Sequence, residues 1–88
     1  MIFTSKRTEI EIVYDLLSSA QSDIKQTRLM YKVNMPYLQF KKYLKVLKEK
    51  GLLSEKNTNN NGGKIYSITA EGKELMKYLT IVKSYLAW

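Results

Sequence analysis

The run Asn57-Thr58-Asn59-Asn60-Asn61-Gly62-Gly63 limits the possible folds of this chain more than any other segment. Asparagine and glycine tolerate positive φ, and this run separates two short segments, Leu52 to Lys56 and Lys64 to Ile68, that read as strands. A β-hairpin is the natural outcome. Its upstream neighbour is helical. Pro36, with a fixed φ and no amide hydrogen, suits the first turn of a helix, and Gly51 suits the left-handed position just past a helix end. The spacing predicts a helix from Pro36 to about Lys50.

The flanking elements follow from apolar spacing. From Thr8 to Ala20, Ile10, Val13, Tyr14, Leu17 and Ala20 recur at helical intervals, and Thr8 or Arg7 begins a first turn that carries Glu9 and Glu11 near the positive end of the helix. Ile12 and Leu16 form a second, narrower apolar row, expected to meet an element outside the core. Lys25 to Tyr31 reads as a short helix, and Val33-Asn34-Met35-Pro36 as the turn after it. Thr69 is a candidate cap for a last helix that carries Glu71 in its first turn and stays helical to Trp88. The order is helix, short helix, turn, helix, strand, loop, strand, helix. It predicts a mainly α fold with a small β-hairpin, a winged helix-turn-helix with an added C-terminal dimerisation helix. Residues 1–70 would form the winged unit and residues 71–88 the C-terminal helix, the two making one compact body.

Charge is concentrated on the middle of this plan. Residues 25–64 hold ten of the fifteen lysines and arginines but only two of the eight acidic residues, a net +8 in a chain of +7. Such a patch on a helix-turn-helix predicts double-stranded DNA as a partner. The chain has no cysteine and no histidine, which removes disulfides, zinc fingers, thiol chemistry and neutral-pH imidazole catalysis. No catalytic constellation, metal site or cofactor motif is visible, and no small-molecule pocket is signalled. The first residues, Met1-Ile2-Phe3-Thr4-Ser5-Lys6-Arg7, place their charges after the apolar run, the reverse of a secretory signal. No window approaches the roughly 18 apolar residues of a membrane span. The expectation is a soluble, cytoplasmic, nucleoid-associated protein that is not an enzyme.

On a helical wheel, the third helix sets Phe40, Tyr43, Leu44 and Leu47 on one side and Leu38, Lys42, Lys45 and Glu49 on the other. Gln39 and Lys41 flank this second, exposed set near the N-terminus, the end that enters the major groove in this motif. There Leu38 suits a thymine methyl, Gln39 an adenine, and the lysines guanine or phosphate. Lys25, Thr27, Arg28 and Lys32 on and beside the second helix supply phosphate donors, and Lys56 and Lys64 bracket the wing. Asn59 and Asn60 in the loop suit a phosphate or sugar, or serve as turn formers. Tyr37, and Tyr31 beside the patch, are the tyrosines placed to touch nucleic acid; the others fall on core or dimer faces.

The last helix has apolar residues around too much of its circumference for one packing face. Leu75, Leu79, Val82 and Leu86 step by four, three and four residues, as in a coiled-coil seam, and Tyr78 with Tyr85 and Ile81 with Trp88 flank them. Leu75 and Leu79 are expected to pack partly on their own chain, and the rest to join a second copy.

These residues resemble the archaeal winged-helix DNA-binding family that includes the 10a-type chromatin proteins. The resemblance covers nearly the whole chain. It is carried by Thr27-Arg28-Leu29-Met30-Tyr31, Val33-Asn34-Met35, Tyr37, Gln39-Phe40, Tyr43-Leu44, Leu47, Gly51-Leu52, Tyr66-Ser67-Ile68-Thr69 and Glu71-Gly72. It implies a winged-helix fold, double-stranded DNA as ligand, and a homodimer joined through C-terminal helices in an antiparallel coiled coil. The chain departs from the family at Pro36, where a serine-like cap is common, and in a shorter last helix and a longer, asparagine-rich wing. A transcriptional regulator is the leading expectation from all of this, with an architectural chromatin protein as the alternative.

Overall fold

The structure, a computed structural model, describes residues 8–58 and 63–86. The elements run α1 (Glu9–Ser19), β1 (Ile24–Lys25), α2 (Gln26–Val33), α3 (Tyr37–Glu49), β2 (Leu53–Asn57), β3 (Lys64–Ile68) and α4 (Ala70–Leu86). Thr8 opens α1 with a capping box: its hydroxyl accepts from the Glu11 amide at 3.2 Å, and the Glu11 carboxylate accepts from the Thr8 amide at 3.0 Å. Two first-turn donors are thereby satisfied. Pro36 stands at the N-cap of α3, one position before the helix, and Gly51 follows the helix end with φ +75°. Asn34 closes α2 in the left-handed region at φ 53°, which asparagine tolerates better than most residues.

The predicted hairpin is β2–β3, paired from Leu53↔Ile68 to Asn57↔Lys64 and closed beyond by the Thr58 amide donating to the Gly63 carbonyl at 2.8 Å. A further strand, absent from the sequence reading, completes it. β1 pairs antiparallel with β3, Ile24 opposite Tyr66 and Lys25 opposite Ile65, so the sheet has three strands in the order β1-β3-β2. Two residues are too short a segment to show an alternating pattern, and it is the free edge of β3 that makes them a strand.

One core joins the elements: Ile12, Leu16, Leu17 and Ala20 of α1 and its C-cap, Leu29 and Val33 of α2, Met35, then Phe40, Leu44 and Leu47 of α3, Leu53 and Tyr66 of the sheet. Tyr43 of α3, expected in the core, lies partly buried beside it. The buried face of α1 differs from the expected one. Ile12 and Leu16 are in the core, whereas Val13 only packs beside it and Ile10 and Tyr14 are half-buried. The reason is that α1 packs against both α2 and α4, which rotates its buried arc. Tyr14 instead receives the Lys83 ammonium from α4, 3.9 Å from its ring centroid.

Thr69 fixes the start of α4. Its hydroxyl accepts from the Gly72 amide at 3.0 Å and donates to the Gly51 carbonyl at 2.6 Å, tying the cap of α4 to the end of α3. Gly72 is buried against the backbone of Leu52, close enough that a Cβ there would overlap the Leu52 carbonyl oxygen and sit 2.7 Å from Ile68 Cγ1.

Candidate nucleic-acid interface

The α3 helix presents the face its sequence predicts. Phe40, Leu44 and Leu47 are buried, while Leu38, Lys42, Lys45 and Glu49 are exposed. Leu38 is 77% exposed, a large apolar side chain in the middle of a basic surface. Lys41, Lys42, Lys45 and Lys48 line an open groove of about 530 Å³ with Leu38 and Glu49, whose far wall is the sheet: Glu55, Lys64 and Tyr66. Gln39 lies on the other flank of α3, beside Glu9, Val13, Tyr43 and Val46, with Lys42 bordering both flanks. Burial, together with the Glu9 carboxylate, raises the Tyr43 phenol above its ordinary value there.

The groove wall is organised by one carboxylate. Glu55 lies opposite Tyr66 in the β2–β3 register, so both side chains leave the same face of the sheet. Tyr66 donates its hydroxyl to Glu55 Oε1 at 2.9 Å, Lys48 Nζ lies 3.1 Å from the same oxygen, and Lys64 Nζ lies 3.3 Å from Oε2. Burial alone would raise the Glu55 carboxyl, but the hydrogen bonds from Tyr66, Lys48 and Lys64 outweigh it and hold the group below the ordinary glutamate value. Tyr66 shifts upward by burial and by the same carboxylate. The Tyr66 hydroxyl also reaches Gln26 Oε1 at 3.4 Å, which brings the first residue of α2 to this wall. Neither α2 nor α3 has a side-chain cap hydrogen bond, so no capping side chain takes their first-turn amides.

The other expected contacts fall into separate groups. Lys25, Arg28 and Lys32 gather with Ser19, Ser22, Asp23 and Ile24, and Arg28 and Lys32 also border exposed Tyr31. Thr27 is exposed on the first turn of α2, and Tyr37 is exposed at the start of α3. Lys56 stands on β2 and pairs with Asp23 at 3.2 Å. Asn59 and Asn60 lie outside the described residues. Among the described residues no ion pair engages Lys41, Lys42, Lys45 or Arg28, whereas Lys48, Lys56 and Lys64 each face a carboxylate. Sequence reasoning overlooked Lys48, Glu55 and Tyr66. Lys48 continues the Lys41, Lys45 row at helical spacing, but the convergence of Glu55 and Tyr66 exists only once the strands are in register.

On α4, Leu75 and Leu79 pack toward the core of their own chain together with Met76. Tyr78, Ile81, Val82 and Tyr85 remain exposed, at 55%, 46%, 37% and 84%. At helical spacing these four lie within an arc of about 100°. The expected seam is thus divided, its first two leucines turned inward and Val82 joined to the tyrosines outside. The Leu86 side chain and Trp88 lie outside the described residues.

Among the described residues no cluster of histidine, cysteine, aspartate or glutamate is placed to hold a metal, and no helix is long and apolar enough to cross a membrane.

A winged helix-turn-helix family model matches residues 6–86. No curated protein matches the chain by sequence. Among solved structures, Sso10a-2, a DNA-binding protein from Sulfolobus solfataricus, is 31% identical with a TM-score of 0.84, covering 92% of this chain and 83% of its own. The PcaV transcriptional regulator of Streptomyces coelicolor is 19% identical with a TM-score of 0.75, covering 86% of this chain and 62% of its own. A mutant MarR from E. coli is 14% identical with a TM-score of 0.70, covering 85% of this chain and 54% of its own. The last two share the fold, and this chain spans little more than half of each. The family model over nearly the full length and the likeness to Sso10a-2 agree, and the chain belongs to the winged helix-turn-helix family, in the archaeal group that the 10a-type proteins exemplify.

Proposed function

We propose that this protein binds double-stranded DNA as a homodimer and regulates transcription, with α3 in the major groove and the wing along the adjacent backbone or minor groove. The observation that carries the reading is the lysine row on α3, in which Lys42 and Lys45 are exposed and Lys41 is half-buried. Lys41, Lys42 and Lys45, with no carboxylate partner among the described residues, surround an exposed Leu38 at the N-terminal half of a helix that leads into the wing. Unpaired lysines are free to neutralise phosphates or reach guanine, and an apolar side chain at that end suits a thymine methyl. Arg28 with Lys25, Lys32 and Thr27 supports the reading from α2, where contacts position the protein without reading sequence. The name of Sso10a-2 as a DNA-binding protein, at 31% identity, points the same way. Tyr78, Ile81, Val82 and Tyr85 of α4 form the proposed dimer face, with Leu75, Leu79 and Leu86 at its edge and two half-sites expected about one helical turn of DNA apart.

Selection of bound fragments from random duplex DNA at near-physiological salt tests this reading. A recovered palindrome with half-sites about ten base pairs apart supports a dimeric regulator. Bound but unenriched DNA replaces it with an architectural role, and failure to retain any duplex refutes DNA binding.

A further inference from the structure

A groove built to hold a polyanion carries a carboxylate in its wall. Glu55 is only 17% exposed in its side chain and accepts from three donors, the Tyr66 hydroxyl at 2.9 Å and the Lys48 and Lys64 ammoniums at 3.1 and 3.3 Å. Two cations and a hydroxyl converging on two oxygens is the arrangement those groups would otherwise make around a phosphate. The contrast with the rest of the groove is sharp, because Lys41, Lys42 and Lys45 line it with no such partner among the described residues. Glu49, the other acid in the lining, is exposed on α3 and forms no ion pair among the described residues.

Resting on the DNA reading, we infer that Glu55 is a positioning residue that occupies Lys48 and Lys64 in place of DNA phosphates, leaving Lys41, Lys42 and Lys45 to make the backbone contacts within this groove and limiting sequence-blind affinity. Exposed ion pairs are individually weak, so the lysines are not locked. The restraint comes from what a departing lysine leaves behind. If Lys48 or Lys64 moved to a phosphate, a half-buried carboxylate would lose its counter-charge and face a second anion, and both effects oppose the move. The sheet-side wall of the groove therefore steers the duplex toward Lys41, Lys42 and Lys45, and Lys64 serves the wall before it serves the ligand.

Glu55→Gln keeps the shape and an acceptor for Tyr66 but removes the charge. Binding of the full chain to a random-sequence duplex, followed by fluorescence anisotropy between 50 and 200 mM salt, is the measurement. Each phosphate gained adds about 0.9 to the slope of log affinity against log salt, so releasing one or two lysines per protomer of a dimer steepens it by roughly 2 to 4 and raises affinity at the low-salt end. Lys48→Ala supplies an independent reading. In the parent protein it should change the slope by less than about 0.5, whereas in the Glu55→Gln background it should remove about 2 of the gain. A merely structural role for Glu55 would not produce that coupling. The inference is overturned if Glu55→Gln leaves the slope unchanged or weakens all duplexes alike. It is equally overturned if Lys48→Ala alone flattens the parent slope by about 2, a result that stands whether or not the glutamine variant folds. Loss of preference for one sequence in Glu55→Gln would instead make Glu55 a base reader and overturn it too. A parent protein with salt-dependent binding and an unaltered variant refutes this inference alone; a parent protein with no duplex binding refutes the DNA reading beneath it.

Discussion

Replacing Ile81 and Val82 together by glutamate tests the proposed dimer face where the structure permits an estimate. The two side chains are 46% and 37% exposed, so a partner has that fraction of each left to cover. Full burial of an aliphatic side chain is worth roughly 1.5 to 3 kcal/mol, which gives about 1.2 to 2.5 kcal/mol for the pair in one protomer. Two-fold symmetry doubles this to about 2.5 to 5 kcal/mol, before the cost of desolvating the introduced carboxylates. Dimer dissociation should therefore shift by roughly two to three and a half decades in Kd. Because both side chains already face solvent in the single chain, the fold should survive. Sedimentation velocity at micromolar concentration, with circular dichroism as the folding control, should show a folded monomer where the parent protein is a dimer. Duplex affinity should fall with it, since two half-sites are no longer engaged together. A parent chain that sediments as a monomer, or a double variant that stays a dimer, refutes the assignment of this stripe. Ile12 and Leu16 offer no second candidate surface, because both are buried.

Two further outcomes follow from the packing and the charges. Gly72→Ala should lower Tm by roughly 8 to 16 °C, because a Cβ would press on the Leu52 backbone and Ile68, an overpacking cost only partly offset by the better helix propensity of alanine, netting about 2 kcal/mol; an unchanged or raised Tm in a thermal melt contradicts the close approach. Glu55 sits below the ordinary glutamate value of 4.5 when folded, so its contribution to stability is complete above that pH and is lost as pH falls through the folded value. In urea titrations the advantage of the parent protein over Glu55→Gln should therefore shrink as pH drops below about 4.5; an advantage that grows on acidification would contradict the direction of the shift.

Local chemistry in the sequence made much of this fold legible. Thr8, Pro36, Gly51 and Thr69 each mark a boundary because a cap, a missing amide or a left-handed φ acts within a few residues, and each sits within two residues of the helix end it was read to mark. The polar face of α3 was legible for the same reason, since a single core on one side fixes the wheel. What escaped depends on distant partners. β1 is two residues whose strand character comes from β3, and the buried face of α1 is set by two neighbouring helices at once. The Glu55 cluster joins residues from α3, β2 and β3, so nothing in the spacing of Lys48, Glu55, Lys64 and Tyr66 announces it. The sequence showed a broad patch of positive charge, and the structure divides that patch into lysines that face carboxylates and lysines that do not.

The most direct test of the central claim is the salt dependence of duplex binding by the parent protein. If three or four of the cations without a carboxylate partner among the described residues, Lys41, Lys42, Lys45 and Arg28 first among them, meet DNA from each protomer, the dimer neutralises roughly six to eight phosphates. Log affinity should then fall with log salt at a slope of about −5 to −7. A slope near zero, or no measurable binding to duplex DNA at about 50 mM salt, would contradict the account.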